Sequence, residues 1–508
     1  MEALRDRFVR AHLLALLVVT CVTSYSSYAY FHPDEYFQVL HLARIKLGQV
    51  SSPAVPWEIA AGMRPWMQPA AYVALGKALA ALGLRDPFAF AFACRLVTGL
   101  VGVATVATFL AATLPWLADD EERRAHVRWV TLAGFLPYLL VRTSSETASA
   151  AAFTLGYSVM ELAGASRAGD GARPRVAFAA GLLFGVAFEM RFQSAFMTVG
   201  YVAWLVVVAR ASLRSVAALV AGGVVPVLVA IPIDTWGYGE LTFPPVEYAM
   251  INLFEGAAVL FGADPPFAYL WASPANVFMP LVLVLMTCLF VGWWRHRRHA
   301  LTWITFPFFL VHALLSHKEE RFLFPMVLLV LAFPALASAP SLGRASRVSA
   351  WLWRARRGPL AKVVWATSFA GMALLAVYPL GWNHHVPFQR YVHAHLGGEL
   401  HAHALEDFDL GVPAFAPRVY DIDKDGAQAI ADAARAGTSK ELLVADSPRV
   451  RTGTDLDARV ELLYSELPFA GTGLEPTVVS IVDAYNRRAR APLRPLRFRT
   501  LYRLRRGP

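Results

Sequence analysis

Apolar runs recur from the N-terminus to about residue 380. They lie at about 11–30, 89–115, 127–141, 147–164, 176–191, 194–209, 216–233, 276–294, 300–315, 322–338 and 361–380. A helix rises about 1.5 Å per residue, so about 20 such residues cross a hydrocarbon core. Within lipid every backbone donor must be satisfied inside the protein, which leaves a bundle of helices as the fold. The chain is 56% hydrophobic and 17% charged, which excludes an ordinary soluble globule. The expectation is an all-α polytopic membrane protein with about eleven transmembrane helices.

The loops between the runs sort by charge. One group holds Arg5, Arg7 and Arg10; Arg123, Arg124 and Arg128; and Arg167, Arg173 and Arg175. It continues with Arg210 and Arg214, Arg295-His-Arg-Arg-His299, and Arg344, Arg347, Arg354, Arg356 and Arg357. All fall on one side if the spans alternate, and the positive-inside rule makes that side cytoplasmic. The net charge of +10 follows from these loops, so no nucleic-acid partner is implied. The N-terminus has the form of a signal peptide, with Ser27-Tyr28-Ala29 resembling a cleavage site. An uncleaved anchor is expected, because cleavage would detach the next residues from their membrane helix. The three cysteines, Cys21, Cys94 and Cys288, lie in apolar runs and form neither a disulfide framework nor a metal spacing.

The opposite side carries mixed charges and aromatics near span ends. It holds His32-Pro-Asp-Glu35, Arg64-Pro-Trp-Met-Gln-Pro69, Arg142-Thr-Ser-Ser-Glu146 and Glu189-Met-Arg-Phe-Gln193. It also holds Asp234-Thr-Trp-Gly-Tyr-Gly-Glu240 and Ser316-His-Lys-Glu-Glu-Arg-Phe322. Such clusters suit a site that binds an anion, removes a proton and holds a polyhydroxylated ligand. Pro33 breaks regular helix, which puts Asp34 and Glu35 on a turn or a fresh helix start. In helical register His317 and Arg321 stand at i and i+4, with Lys318 adjacent. Glu146 sits where it either caps the next span or binds an acceptor. Glu189 and Arg191 read as an ion pair closing a span end.

Taken in order, these motifs resemble glycosyltransferase family 22. His32-Pro-Asp-Glu-Tyr-Phe-Gln38 looks like that family's first-loop signature. Arg142-Thr-Ser-Ser-Glu-Thr147 is similar to its Arg-Thr…Glu-Thr stretch, and Asp234…Tyr238-Gly-Glu240 with Asn252 to its Asp…Tyr-Gly…Asn loop. Ser316-His-Lys-Glu-Glu-Arg-Phe322 matches its late His-Lys-Glu-x-Arg-Phe motif. The resemblance implies a GT-C architecture, a polyprenyl- or dolichyl-phosphate-mannose donor, a glycan or glycolipid acceptor, the bilayer as partner, and no metal or other cofactor. It implies Asp34 as catalytic base with Glu35 beside it, and His317, Lys318 and Arg321 on the donor phosphate. His32, Gln38, Arg142, Glu146, Asp234, Tyr238 and Asn252 would bind substrate. Displacing a β-linked lipid phosphate to give an α-mannoside is an inverting step that needs one base and cations on the leaving group. A transporter or flippase of lipid-linked sugars is the rival, although transporters carry their ionisable residues near the midplane of paired halves.

Other segments have simpler expectations. Ala70–Leu84 reads as a short interfacial helix, and Asp234–Pro274 as a long loop. The membrane module is expected over 1–381 and a small soluble α/β domain over 382–508. In the latter, 440–446, 458–464 and 477–483 read as strands and 427–436 as a helix ended by Gly437, with a loose basic tail from Arg487. Asp421-Ile-Asp-Lys-Asp-Gly426 mimics a calcium loop but has no incoming amphipathic helix. His393, His395, His401 and His403 are the other metal-like group, and no metal is expected at either place.

Overall fold

The computed structural model describes residues 2–50, 56–165, 173–254, 262–269, 278–343, 346–377, 386–405, 419–445, 452–467, 480 and 498–505. Two compact units emerge: Met1–Ser27 with Pro33–Pro379, and Tyr28–His32 with Leu380–Pro508.

The first unit is helical, and its helices begin where short polar side chains cap them. Asp6 accepts from Phe8 N at 2.6 Å at the head of Arg7–Ser26. Asp86 accepts from Ala89 N at 2.7 Å at the head of Pro87–Thr113. Ser144 and Ser212 do the same for Ser145–Leu162 and Leu213–Tyr238. Each cap satisfies backbone donors that the helix leaves open.

Four helices are long and apolar enough to cross a membrane by themselves: Arg7–Ser26, Pro87–Trp116, Leu213–Tyr238 and Pro359–Val377. Met279–Arg295 and Ala300–Leu314 pass together as a pair bent by 120°. The remaining apolar runs are shorter or broken. The 127–141 run splits into Asp120–Leu132 and Leu136–Leu140, and the 322–338 run into Phe324–Val330 and Phe333–Ser338. Each second piece has proline in its first turn, where the missing donor is harmless but a continuous helix is not allowed.

Pro174–Met190 and Leu213–Tyr238 pack backbone to backbone. A Cβ on Gly181 would collide with the Leu219 carbonyl, so only glycine permits this approach. Buried aromatics, among them Phe153, Tyr157, Phe184, Tyr201 and Phe308, fill the centre. The expected 234–274 loop begins later than the sequence indicates. Asp234–Tyr238 stays helical, Gly239 ends the helix at φ 85°, and Pro244–Ala249 is helical again. The short helix expected over 70–84 spans Met67–Ala81.

The basic loops also meet. Arg124 and Arg128 lie 5.5 and 5.6 Å from the Phe8 ring, and Arg356 is 2.5 Å from Glu121. Arg295 donates to the Ala337 carbonyl at 2.6 Å, and His299 stacks edge-on to Trp116 at 4.9 Å. The basic segments around Arg7, Arg124, Arg295 and Arg356 are thus linked to one another or to their neighbours by direct contacts.

The second unit holds a five-stranded sheet of order β2-β1-β3-β5-β4. Its strands are β1 (Glu399–Ala404), β2 (Val419–Lys424), β3 (Leu442–Ala445), β4 (Val460–Ser465) and β5 (Thr500–Leu504). β1 pairs in parallel with β2 and β3, whereas β5 runs antiparallel to β3 and β4. The helix Ala427–Arg435 forms as expected, with Gly437 at φ 73° after it. The expected 477–483 strand lies outside the described residues.

One sequence reading changes here. The tail is not loose throughout, since β5 lies between β3 and β4 with Leu501, Tyr502 and Leu504 buried. The calcium-like residues Asp421–Lys424 form a strand, and Lys440 Nζ lies 2.9 Å from both Asp421 and Asp423. His403, Asp423 and Asp425 bring ligand atoms within 4.8 Å of one another. However, His403 Nε2 accepts from Lys440 N–H at 3.0 Å, so Nδ1 carries the proton that it donates to Asp425 at 2.8 Å. Neither ring nitrogen then offers a lone pair to a metal in this arrangement.

Candidate active site

Pro33 opens a single helical turn, Pro33–Glu35, which continues through a wide turn at Tyr36–Leu40 into His41–Lys46. Proline is favoured at this first position and acids in the first turn. The two adjacent carboxylates then diverge. The Asp34 side chain is 24% exposed and meets Arg321 Nη2 at 2.6 Å. Glu35 points inward and is 2% exposed. Its Oε1 accepts from Thr143 N at 2.8 Å and Thr143 Oγ1 at 3.1 Å, and its Oε2 lies 3.9 Å from Arg142 Nη1. Glu35 therefore ties the turn to the Arg142–Thr143 strap, and the structure does not place it beside Asp34 as a second reactive group.

The late motif departs from its expected helical register. Glu319 is extended (φ −131°) and only Glu320–Leu323 coil, as a 3-10 turn. His317 and Arg321 therefore share no helix face. Glu319 bridges them instead, with Oε1 3.0 Å from His317 Nε2 and Oε2 on Arg321 Nε. Arg321 also meets Glu146 Oε1 at 3.3 Å, so one guanidinium joins three carboxylates: Asp34, Glu146 and Glu319. The planar fork spreads its donors over three nitrogens, so each carboxylate meets its own, whereas an ammonium is a single point. Lys318 behaves differently. Its Nζ donates to the backbone carbonyls of Asp264 (3.0 Å) and Leu315 (2.5 Å), and desolvation holds its pKa below the ordinary lysine value.

Glu146 is not the cap of its helix. Ser144 takes that role by accepting from Thr147 N at 3.3 Å, which leaves the buried Glu146 carboxylate to Arg321 and Arg191. Arg191 Nη2 lies 3.3 Å from Glu146 Oε1, so the expected Glu189–Arg191 pair does not form. The chain turns extended at Arg191 (φ −149°, ψ 107°), which separates the two side chains.

Several residues expected to bind substrate make hydrogen bonds within the protein. Arg142 is 1% exposed and donates to Ser27 Oγ at 2.7 Å and the Tyr138 carbonyl at 3.2 Å. Asp234, also 1% exposed, accepts from Trp66 N at 2.7 Å. Tyr238 OH accepts from Arg64 N at 3.0 Å and donates to Arg64 O at 2.8 Å. A Cβ on Gly237 would run into the Trp66 ring, so this junction needs glycine. Asn252 donates to the Tyr248 carbonyl at 3.0 Å. Gln38 remains near the acids, donating to Glu58 Oε2 at 2.7 Å. His32 is half-buried and belongs to the second unit.

Arg64 and Glu58 were not singled out from sequence, and Arg191 was read only as a partner of Glu189. Arg64 binds Glu58 through Nη2 at 2.5 Å and Nε at 3.1 Å, and feels the Asp34 charge. The signal was the Arg64-Pro-Trp-Met-Gln-Pro69 cluster, which marked the segment without saying which member matters.

Comparison with known proteins follows the same lines. The chain is 26% identical to GPI mannosyltransferase 3 of Yarrowia lipolytica over 322 residues, covering 62% of this chain and 59% of that one. It thus spans about three-fifths of that relative's length. Against the α-1,2-mannosyltransferase ALG9 of Mus musculus it is 31% identical over 126 residues, 22% of this chain and 20% of the other. ArnT from Cupriavidus metallidurans, solved bound to undecaprenyl phosphate, has a similar fold (TM-score 0.52, 14% identity, 97% of both chains). This likeness supports the GT-C type of architecture, with apolar helices and a small C-terminal sheet. Residues 11–389 match the model of the Alg9-like mannosyltransferases. The chain belongs to the Alg9-like mannosyltransferase family, a family of glycosyltransferases.

Proposed function

We propose that the protein is an inverting α-mannosyltransferase that moves mannose from a polyprenyl- or dolichyl-phosphate carrier to a glycan or glycolipid acceptor. The observation that carries this reading is the partly exposed Asp34 carboxylate, fixed at 2.6 Å by a buried arginine of the late motif. Glu319 commits one oxygen to His317 and the other to Arg321, and Glu146 is buried. Asp34 is the carboxylate of this set best placed to meet an incoming hydroxyl. It takes the acceptor's proton as the acceptor oxygen bonds to the anomeric carbon. The bond to the phosphate oxygen breaks on the opposite face, and its electron pair leaves with the phosphate. Phosphate is already a good leaving group, so this step calls for cations and no strong acid. Lys318, bonded to backbone carbonyls, is the foremost cation for it, with His317 and Arg321 behind. Glu35, Arg142, Asp234 and Tyr238 position the turn and its neighbours, and Asn252 steadies the 250–254 turn.

In this reading the shorter and broken apolar segments also cross, giving about eleven spans. The active site faces away from the basic loops, on the non-cytoplasmic side. The host membrane is the plasma membrane in a bacterium and the endoplasmic reticulum in a eukaryote. The test is transfer of radiolabelled mannose from the lipid phosphate to a panel of glycan acceptors by purified protein in vesicles. Label that crosses the vesicle wall without reaching an acceptor would favour the transporter.

A further inference from the structure

Glu189 closes the Pro174–Met190 helix with no exposed surface, and neither of its carboxylate oxygens meets a donor among the described residues. Arg191 does not serve it, being committed to Glu146. A buried carboxylate without partners is strongly unfavourable as the anion, and a ligand that donates to it would offset that cost.

Glu189 lines a cavity of about 20 Å³ together with Gln38, Arg64, Gln68 and Ser145. That is room for about one oxygen atom with its hydrogens. The walls are rich in acceptors. Gln68 Nε2 donates to the Thr143 carbonyl at 2.9 Å, which leaves Gln68 Oε1 without a donor. Asp234, which lies outside the lining but whose charge Glu189 feels, keeps Oδ2 without one as well. The donor-free oxygens of Glu189 and Gln68 suit an occupant that brings polar hydrogens, while Arg64 in the same wall is held by Glu58.

None of Asp34, Glu146, Glu319 and Arg321 lines the cavity, but two of its wall residues adjoin that cluster. Gln38 lies about one helical turn beyond Asp34. Ser145 Oγ donates at 3.3 Å to Glu146 Oε2, and Glu146 holds Arg321. No residue of the cation-bearing 316–321 loop lines it.

We propose that this cavity is the inner end of the acceptor subsite: one hydroxyl of the acceptor sugar enters it and donates to Glu189, which selects the acceptor by that hydroxyl. The inference rests on the reading of Asp34 as the base for glycosyl transfer. Glu189 orients the acceptor and takes no proton in the reaction.

The experiment uses the purified full chain, with octyl α-D-mannopyranoside and its four monodeoxy analogues as acceptor probes. Probe binding is read by thermal shift and transfer by label. Glu189→Gln replaces an unpartnered buried carboxyl group at nearly constant shape, so the unliganded protein should melt no lower than wild type. Its probe affinity should fall about tenfold, because the amide oxygen still accepts a neutral hydrogen bond. Glu189→Met should lose about a hundredfold, since it removes the acceptor altogether. Donor KM should stay unchanged in both. One deoxy probe should bind wild type weakly and lose nothing further in the Gln variant. The inference is overturned if every deoxy probe loses the same factor in Glu189→Gln, or if donor KM moves in place of acceptor affinity. Coupled binding without any mannose transfer would sustain the subsite and sink the transferase reading. Normal transfer with an unchanged acceptor KM in Glu189→Gln would do the reverse.

Discussion

Asp34 and Arg321 stand 287 positions apart, yet carboxylate and guanidinium meet at 2.6 Å. This pair joins the turn after the first helix to the last motif of the helical unit. Glu146 on a third segment completes the junction through the same guanidinium.

Replacement of Asp34 by Asn keeps the shape and a hydrogen bond to Arg321 but removes the proton acceptor. Turnover should fall by about 10² to 10⁴. Donor binding and the melting temperature should remain near wild type. The measurement is label transfer per folded protein beside a donor-binding titration. Near-normal turnover would move the base elsewhere.

Arg321→Lys is not conservative at this site. A lysine cannot reach Asp34, Glu146 and Glu319 at once. Breaking a buried ion pair costs about 3 to 5 kcal/mol. Even where lower temperature recovers the folded variant, kcat should stay well below wild type, because Asp34 loses its brace. Full kcat in folded Arg321→Lys would show that the brace is dispensable.

Lys318 should act through donor affinity. Lys318→Met should raise donor KM several-fold and leave melting almost unchanged, since the ammonium donates to two backbone carbonyls, those of Asp264 and Leu315. The pH dependence has a definite sign. Desolvation disfavours the charged form, so the ammonium is lost at lower pH than an ordinary lysine. Donor affinity should therefore fall on the alkaline side, as pH rises through that lowered pKa. Lys318→Arg, whose charge does not titrate, should flatten this limb. An alkaline limb that survives in Lys318→Arg would assign it to another group.

Glu35→Gln tests whether neighbouring acids share a task. Its carboxylate holds Thr143 and faces Arg142, both buried. The variant leaves Arg142 with less compensation and should lower stability by about 3 kcal/mol. Turnover per folded molecule should change little. A loss of turnover as deep as that of Asp34→Asn, at unchanged stability, would make Glu35 a reacting group.

Leu501→Ala tests the C-terminal sheet. Leu501 is fully buried between β3 and β4, and truncating such a side chain costs about 2 to 5 kcal/mol. Limited proteolysis should cut residues 399–504 faster in the variant. Unchanged cleavage would mean that β5 adds little to the sheet.

The sequence by itself determined what depends on neighbours in the chain. Polar caps such as Asp6, Asp86 and Ser144 and the Pro33 turn are local signals that helix starts follow, whereas the apolar runs 127–141 and 322–338 each split into two helices. The grouping of basic loops was legible too, because charge sorts by side without knowledge of packing. Only the tertiary structure decided which carboxylate meets which cation. Glu189 and Arg191 are two residues apart and do not pair, whereas Arg191 reaches Glu146 and Arg321 reaches Asp34. Adjacent acids separated for the same reason, with Glu35 claimed by Thr143 and Arg142 and Asp34 by Arg321. The strand at 500–504 was missed because its partners β3 and β4 come from elsewhere in the sequence, and a five-residue run bordered by arginines carries no such signal alone. Ion pairs and sheet pairing are settled by which segment ends the packed core brings together, and that information is distributed over the whole chain.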